Sequence, residues 1–227
     1  MRNLPQAVLF DLDGTLVDSV PDLAIAVDNM LAERGSRIAG QQRVRGWVGN
    51  GARVLVQRAI AWSEAKPMDQ LTDSNIDSAL ILFNQHYTQS LNRASKLYPG
   101  VLDFLAYVAE QSIPMALVTN KPIAFVPGLL SQFKLAKYFS VVLGGDSVAQ
   151  GKPHPQMLLQ ACQMLKVEPD KALMIGDSCN DIKAARAAAM PVVGLTYGYN
   201  HGRPIADDKP DKVVDHLMRI ADDWESK

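Results

Sequence analysis

Five short stretches of this chain are apolar almost without interruption: Gln6 to Phe10, Pro114 to Val118, Ser140 to Leu143, Ala172 to Ile175 and Pro191 to Gly194. They do not alternate apolar with polar, so each predicts a strand buried on both faces, as in a parallel sheet layered between helices. Helical spacing fills the intervals: Val101, Leu102, Leu105, Ala106 and Ala109, then Met157, Leu158, Ala161, Cys162 and Leu165, then Ile182 through Met190. The expected class is α/β, in which ligands bind beyond the carboxyl ends of the strands. Polar clusters follow apolar runs: Asp11-Leu12-Asp13-Gly14-Thr15, Thr119-Asn120, Lys152-Pro153 and Gly176 through Asp181. Asp11 and Asp177, 166 positions apart, are therefore predicted to meet.

One connection is too long for a single crossover. From Ser19 to about Ser90 the pattern is helical, with Val20, Leu23, Ala24, Val27, Met30 and Leu31 on one face, then Val54, Leu55, Ala59 and Trp62, then Ile76, Ala79, Leu80, Phe83 and Tyr87. Ser19 and Asp22 have capping-box spacing, which predicts the start of the first helix there. A structureless loop of this length is improbable in a compact protein. The expectation is a helical domain at 19–90 inserted into a discontinuous core, 1–18 and 91–227, and hanging over the site. Tyr98-Pro99-Gly100 marks the return to the core.

Of the 227 residues, 48% are apolar and 21% charged, as in an ordinary globular protein. Lys and Arg total 23 against 24 Asp and Glu, a formal charge of -1 that offers no basic field for nucleic acid or an anionic membrane. The sequence shows no apolar leader ahead of Asp11 and no run long enough to span a bilayer, which predicts a cytoplasmic protein. Cys162 and Cys179 have neither metal-knuckle nor dithiol spacing, so no structural disulfide is expected. The expected partner is a small phosphorylated metabolite, and the expected state a monomer or small homo-oligomer.

The polar clusters supply the parts of a phosphoryl-transfer centre. Asp11, first past its strand, is the candidate nucleophile, and Asp13 the candidate acid and base toward the leaving alcohol and then water. Asp11, Asp177 and the Asp13 carbonyl are candidate ligands of a hard divalent ion, Mg²⁺. Asp181 and Ser178 would support that shell, and the Thr15 hydroxyl would brace Asp13 or its loop. Gly14 lets the loop turn sharply. Thr119 and Asn120, at a strand end and helix start, are candidate phosphate-oxygen ligands, and Lys152 would neutralise charge between carboxylates and phosphate. In the insert, Arg45 and Arg53 flank a glycine-rich turn that would receive a small anion. Trp47 and Trp62 are expected to pack helices.

In order and spacing these clusters resemble the four motifs of the haloacid-dehalogenase superfamily of phosphatases, over nearly the whole chain. Asp11-Leu12-Asp13-Gly14-Thr15 resembles the first motif, Thr119 the second, Lys152 the third, and Gly176-Asp177-Ser178-Cys179-Asn180-Asp181 the fourth. The resemblance implies a Rossmann-like parallel-sheet core of that type with an inserted helical cap domain. It also implies an aspartyl-phosphate intermediate on Asp11, acid/base action by Asp13, and Mg²⁺ on Asp11, Asp177 and the Asp13 carbonyl. Asp13 points to phosphate esters, because dehalogenase relatives lack that second acid. The insert is similar to family caps that admit 2-phosphoglycolate. Related caps serve pyrophosphate, sugar phosphates or nucleotides, and a β-phosphoglucomutase-like phosphomutase or a catalytically silent phosphate-binding protein are the alternatives.

Overall fold

The computed structural model describes residues 4–91 and 93–225. β1 (Ala7–Phe10) opens the chain, and a short β2 (Val17–Asp18) leads into four helices, α1 (Val20–Glu33), α2 (Gln41–Arg45), α3 (Ala52–Glu64) and α4 (Asp73–Ser90). After β3 (Lys96–Leu97), helices and strands alternate: α5 (Val101–Glu110), β4 (Met115–Val118), α6 (Val126–Gln132), β5 (Val141–Leu143), α7 (Gln156–Leu165), β6 (Ala172–Gly176), α8 (Cys179–Ala187) and β7 (Val192–Leu195). β8 (Lys212–Val214) and α9 (Met218–Glu225) end the described chain.

Six strands form one parallel sheet in the order β5-β4-β1-β6-β7-β8. β1 is central, with Phe10 paired to Leu117 on β4 and to Ile175 on β6. That register brings the three strand ends nearly flush, so Asp11, Thr119 and Asp177 emerge side by side. The chain winds outward through β4 and β5 and then crosses to β6, which makes β1 the switch point where such sheets bind ligands.

Strand side chains alternate between two cores. Val8 and Phe10 pack with α5, α6 and α9, while Ala7 and Leu9 pack with α7 and α8. Phe10 meets Phe104 and Phe139 edge-on, ring centroids 6.1 and 6.0 Å apart. The helices α1 to α4 gather a third cluster, including Leu23, Val27, Met30, Leu55, Ile60, Phe83 and Tyr87, which Phe125 and Tyr199 join from outside. Trp47 and Trp62 lie 6.0 Å apart against that cluster. Among the described residues no helix is long and apolar enough to cross a membrane, and Cys162 and Cys179 are both free.

Several local features differ from the sequence expectation. The helix predicted from Ile182 to Met190 begins at Cys179 and ends at Ala187. β8, α6, α9 and the β2–β3 pair have no counterpart in the apolar-run reading: the paired strands are two residues each, and β8 keeps its middle residue Val213 exposed. α1 does begin at Val20, but without the capping box suggested by Ser19 and Asp22. Ser19 instead donates its hydroxyl to Asp13 Oδ1 at 2.6 Å. The fully buried Asp22 carboxylate accepts from the main-chain nitrogens of Ala94, at 2.7 Å, and Ser95, at 3.2 Å, and from the Ser95 hydroxyl. Asp22 thus ties the first turn of the helical insert to the segment by which the chain leaves it.

Asp22→Ala is expected to destabilise the protein by about 3 kcal/mol, because buried main-chain donors lose a charged acceptor. Urea denaturation reads the loss as a lower midpoint with an unchanged slope.

Candidate active site

Asp11 sits where β1 releases the chain. Its N–H still donates to the Ile175 carbonyl at 3.1 Å, so its main chain belongs to the rigid ladder. Gly14 then turns with φ +94°, a conformation L side chains avoid, and a Cβ there would collide with the Asp177 carboxylate and the Tyr199 ring. The turn carries Thr15 across the sheet. Its hydroxyl bonds Asp177 Oδ1 at 2.7 Å, and not the neighbouring Asp13 that the sequence suggested. Asp13 is held instead by Ser19 and by Lys121, whose Nζ lies 3.1 Å from each of its oxygens.

Asp177, 1% exposed, accepts a second bond from the Tyr199 N–H at 2.6 Å. Asp181 closes a capping box with Ser178 at the start of α8, its Oδ2 taking the Ser178 N–H at 3.1 Å and hydroxyl at 2.8 Å. Its other oxygen meets Lys152 Nζ at 2.6 Å. Lys152 is buried, unlike the usual loop lysine. Its ammonium spends three donors on Asp181, the Val118 carbonyl at 2.8 Å and Asp11 Oδ1 at 2.8 Å.

Oxygens of Asp11, Asp177 and Asp181 all lie within 4.8 Å of one another. Burial, against the opposing pull of Lys152, raises Asp11 to about 6, with Asp181 adding to the rise. Burial, then Asp11 and Asp181, raise Asp177 well above the ordinary carboxylate range. Crowded like charges out of water call for a counter-charge. The donor set, all hard oxygens, fits a small divalent cation.

The buried Thr119 hydroxyl accepts from the Lys121 N–H at 3.2 Å. Asn120 reaches two main-chain carbonyls with Nδ2, Gly49 at 2.9 Å and Lys152 at 2.8 Å. Asn180, from α8, also donates to Gly49 O, at 3.1 Å. The turn between α2 and α3 is thereby fastened to the ends of β4 and β6. Beneath it lies a cavity of about 40 Å³, lined by Asp11, Asp13, Thr119, Asn120 and Lys121 together with the apolar Leu23, Leu55, Phe83 and Phe125 and the ring of Tyr87.

Neither arginine singled out in the insert lines this cavity. Arg53 pairs with Asp73 and Asp77 on a partly exposed face. Arg45 stacks over Tyr199 with its guanidinium carbon 4.8 Å from the ring centre. The cation that does line the cavity, Lys121, was missed in the sequence because a lysine after a strand end reads as solvated. The Lys-Pro pair is no signal for it, because Lys66-Pro67 and Lys209-Pro210, away from the site, share it with Lys121-Pro122 and Lys152-Pro153. Tyr199 links Asp177 through its N–H and Asp18 through its hydroxyl.

Residues 5–189 match the family model of the haloacid dehalogenase-like hydrolases. Phosphoglycolate phosphatase 1 of Pseudomonas aeruginosa is 50% identical over 217 residues, covering 96% of this chain and 79% of the relative. A phosphoglycolate phosphatase of Pseudomonas putida matches at the same identity and coverage. A crystal structure from Haemophilus somnus, described as a predicted phosphoglycolate phosphatase, superposes with a TM-score of 0.91 at 40% identity, covering 98% of both chains.

The raised Asp11 implies a definite pH response. A carboxyl whose folded pKa is about 6 against an ordinary 3.8 binds its proton more tightly when folded. Its contribution to stability is complete below the lower value and is lost as pH climbs through the upper one. The metal-free protein is therefore expected to melt at lower temperature as pH rises from about 4 to about 6. Added Mg²⁺ should restore the loss increasingly with pH. Calorimetry in chelator and in Mg²⁺ checks both trends.

Proposed function

The chain belongs to the haloacid dehalogenase-like hydrolases, and on that footing we propose that it hydrolyses 2-phosphoglycolate to glycolate and phosphate through an aspartyl phosphate on Asp11. One observation carries the chemistry: Asp11 at a rigid strand end, with Lys152 2.8 Å from one oxygen, stands in the same cavity as a second acid. The half-identical Pseudomonas phosphatases support the choice of ester.

The residues divide the work as follows. Lys152, itself held by the Val118 carbonyl, fixes one Asp11 oxygen, leaving the other to attack phosphorus. As the ester bond breaks, Asp13 gives its proton to the departing alkoxide. It then takes a proton from water as that water attacks the acyl phosphate, so phosphate leaves and the Asp11 carboxylate is regenerated. The Thr119 hydroxyl and nearby main-chain N–H groups bind phosphate oxygens, and Asn120 holds the turn above them. Thr15, Ser178 and Asp181 keep Asp177 and Lys152 in place.

Asp11, Asp177 and the Asp13 carbonyl would hold Mg²⁺, which when bound supplies positive charge against the phosphate. Residues 19–90 act as a cap domain over the core of 1–18 and 91–227. With Gly49 docked on Asn120 and Asn180, the cap excludes water from the reacting carboxylate.

Asp11→Asn is expected to lower turnover by at least about ten-thousand-fold while leaving the circular dichroism spectrum intact. Across small esters assayed with Mg²⁺, kcat/KM for 2-phosphoglycolate should stand highest. With β-glucose 1-phosphate and its bisphosphate, any product should be free phosphate and not an isomerised sugar phosphate.

A further inference from the structure

Among the described residues, Lys121 is the one cationic side chain lining the cavity. It is 5% exposed, and a buried ammonium needs partners. Two lie within reach: the Asp13 carboxylate, and the Tyr87 ring, whose centre is 4.7 Å from Nζ. Burial works against its charge, but Asp13 and then Tyr87 outweigh that, so the pKa stands above the ordinary lysine range. The cavity it lines is otherwise largely apolar, with Leu23, Leu55, Phe83 and Phe125 in its wall.

We infer that Lys121 is the specificity residue of this site, receiving a carboxylate borne on the carbon next to the ester oxygen. The inference rests on the reading of Asp13 as the group that protonates that oxygen. In 2-phosphoglycolate one methylene separates the ester oxygen from the carboxylate. An oxygen seated at Asp13 therefore brings the carboxylate beside the ammonium 3.1 Å from Asp13. A neutral leaving group of the same size leaves that donor to Asp13 alone. Charge-assisted hydrogen bonds are the strong ones, and in a largely apolar cavity such a contact separates the two kinds of ester. This assignment moves anion recognition from the arginines of the insert to a lysine on the core.

The test compares two non-hydrolysable phosphonates on the Mg²⁺-loaded protein: 3-phosphonopropionate, which mimics the carboxylated ester, and propylphosphonate, which lacks the carboxylate. Calorimetric binding should favour the first by about 10- to 100-fold in the unaltered protein, and Lys121→Met should bring the ratio to near unity. A reading that needs no variant is the Lys121 side-chain nitrogen resonance, which should shift with 3-phosphonopropionate and far less with propylphosphonate. A ratio preserved in Lys121→Met, a ratio near unity in the unaltered protein, or equal resonance shifts with both ligands would overturn the inference. Failure of the proposed substrate is seen separately, as turnover of 2-phosphoglycolate no faster than that of other esters, and leaves the phosphonate comparison readable.

Discussion

Three carboxylates, from Asp11, Asp177 and Asp181, share a space 4.8 Å across and almost without water, and everything else about the site answers their mutual repulsion. Lys152 is the permanent answer. Its ammonium joins β1, through Asp11, to the end of β4, through Val118, and to α8, through Asp181. Losing it would leave buried charges without compensation, a far larger penalty than an exposed ion pair would incur. A divalent cation held by this carboxylate group, as proposed above, would be the conditional answer, and its affinity would be coupled to proton release.

The same economy of charge organises the neighbouring acid. Asp13 is not part of the carboxylate triad; it has its own hydroxyl from Ser19 and its own ammonium from Lys121. Two acids two positions apart thus have separate lysines. Lys152 pairs with the proposed nucleophile Asp11, and Lys121 with Asp13, the proposed acid toward the leaving group.

Much of this was legible in the residues. Continuous apolar runs marked five of the six sheet strands because burial on both faces leaves no room for polar alternation, and the acids that follow two of those runs were visible as interruptions. β8 escaped because an edge strand with exposed Val213 carries no such signature. Short-range rules misled where long-range partners won. Ser19 and Asp22 have the spacing of a helix cap, yet Asp13 and the 94–95 main chain claimed their side chains. Thr15, likewise, turned from its own loop to a carboxylate 162 positions away. Asp181 kept both its local partner Ser178 and its distant partner Lys152, since the box uses one of its oxygens and Lys152 the other.

The helical insert enters and leaves through one narrow gate, where Val17 pairs with Leu97 and Asp18 with Lys96 in opposite directions. Because its two ends lie side by side, the insert could be exchanged for another of different length or shape without moving a strand of the sheet. The reacting machinery and the insert can then diverge on separate evolutionary clocks, save where a core residue takes part in choosing the substrate, as inferred for Lys121.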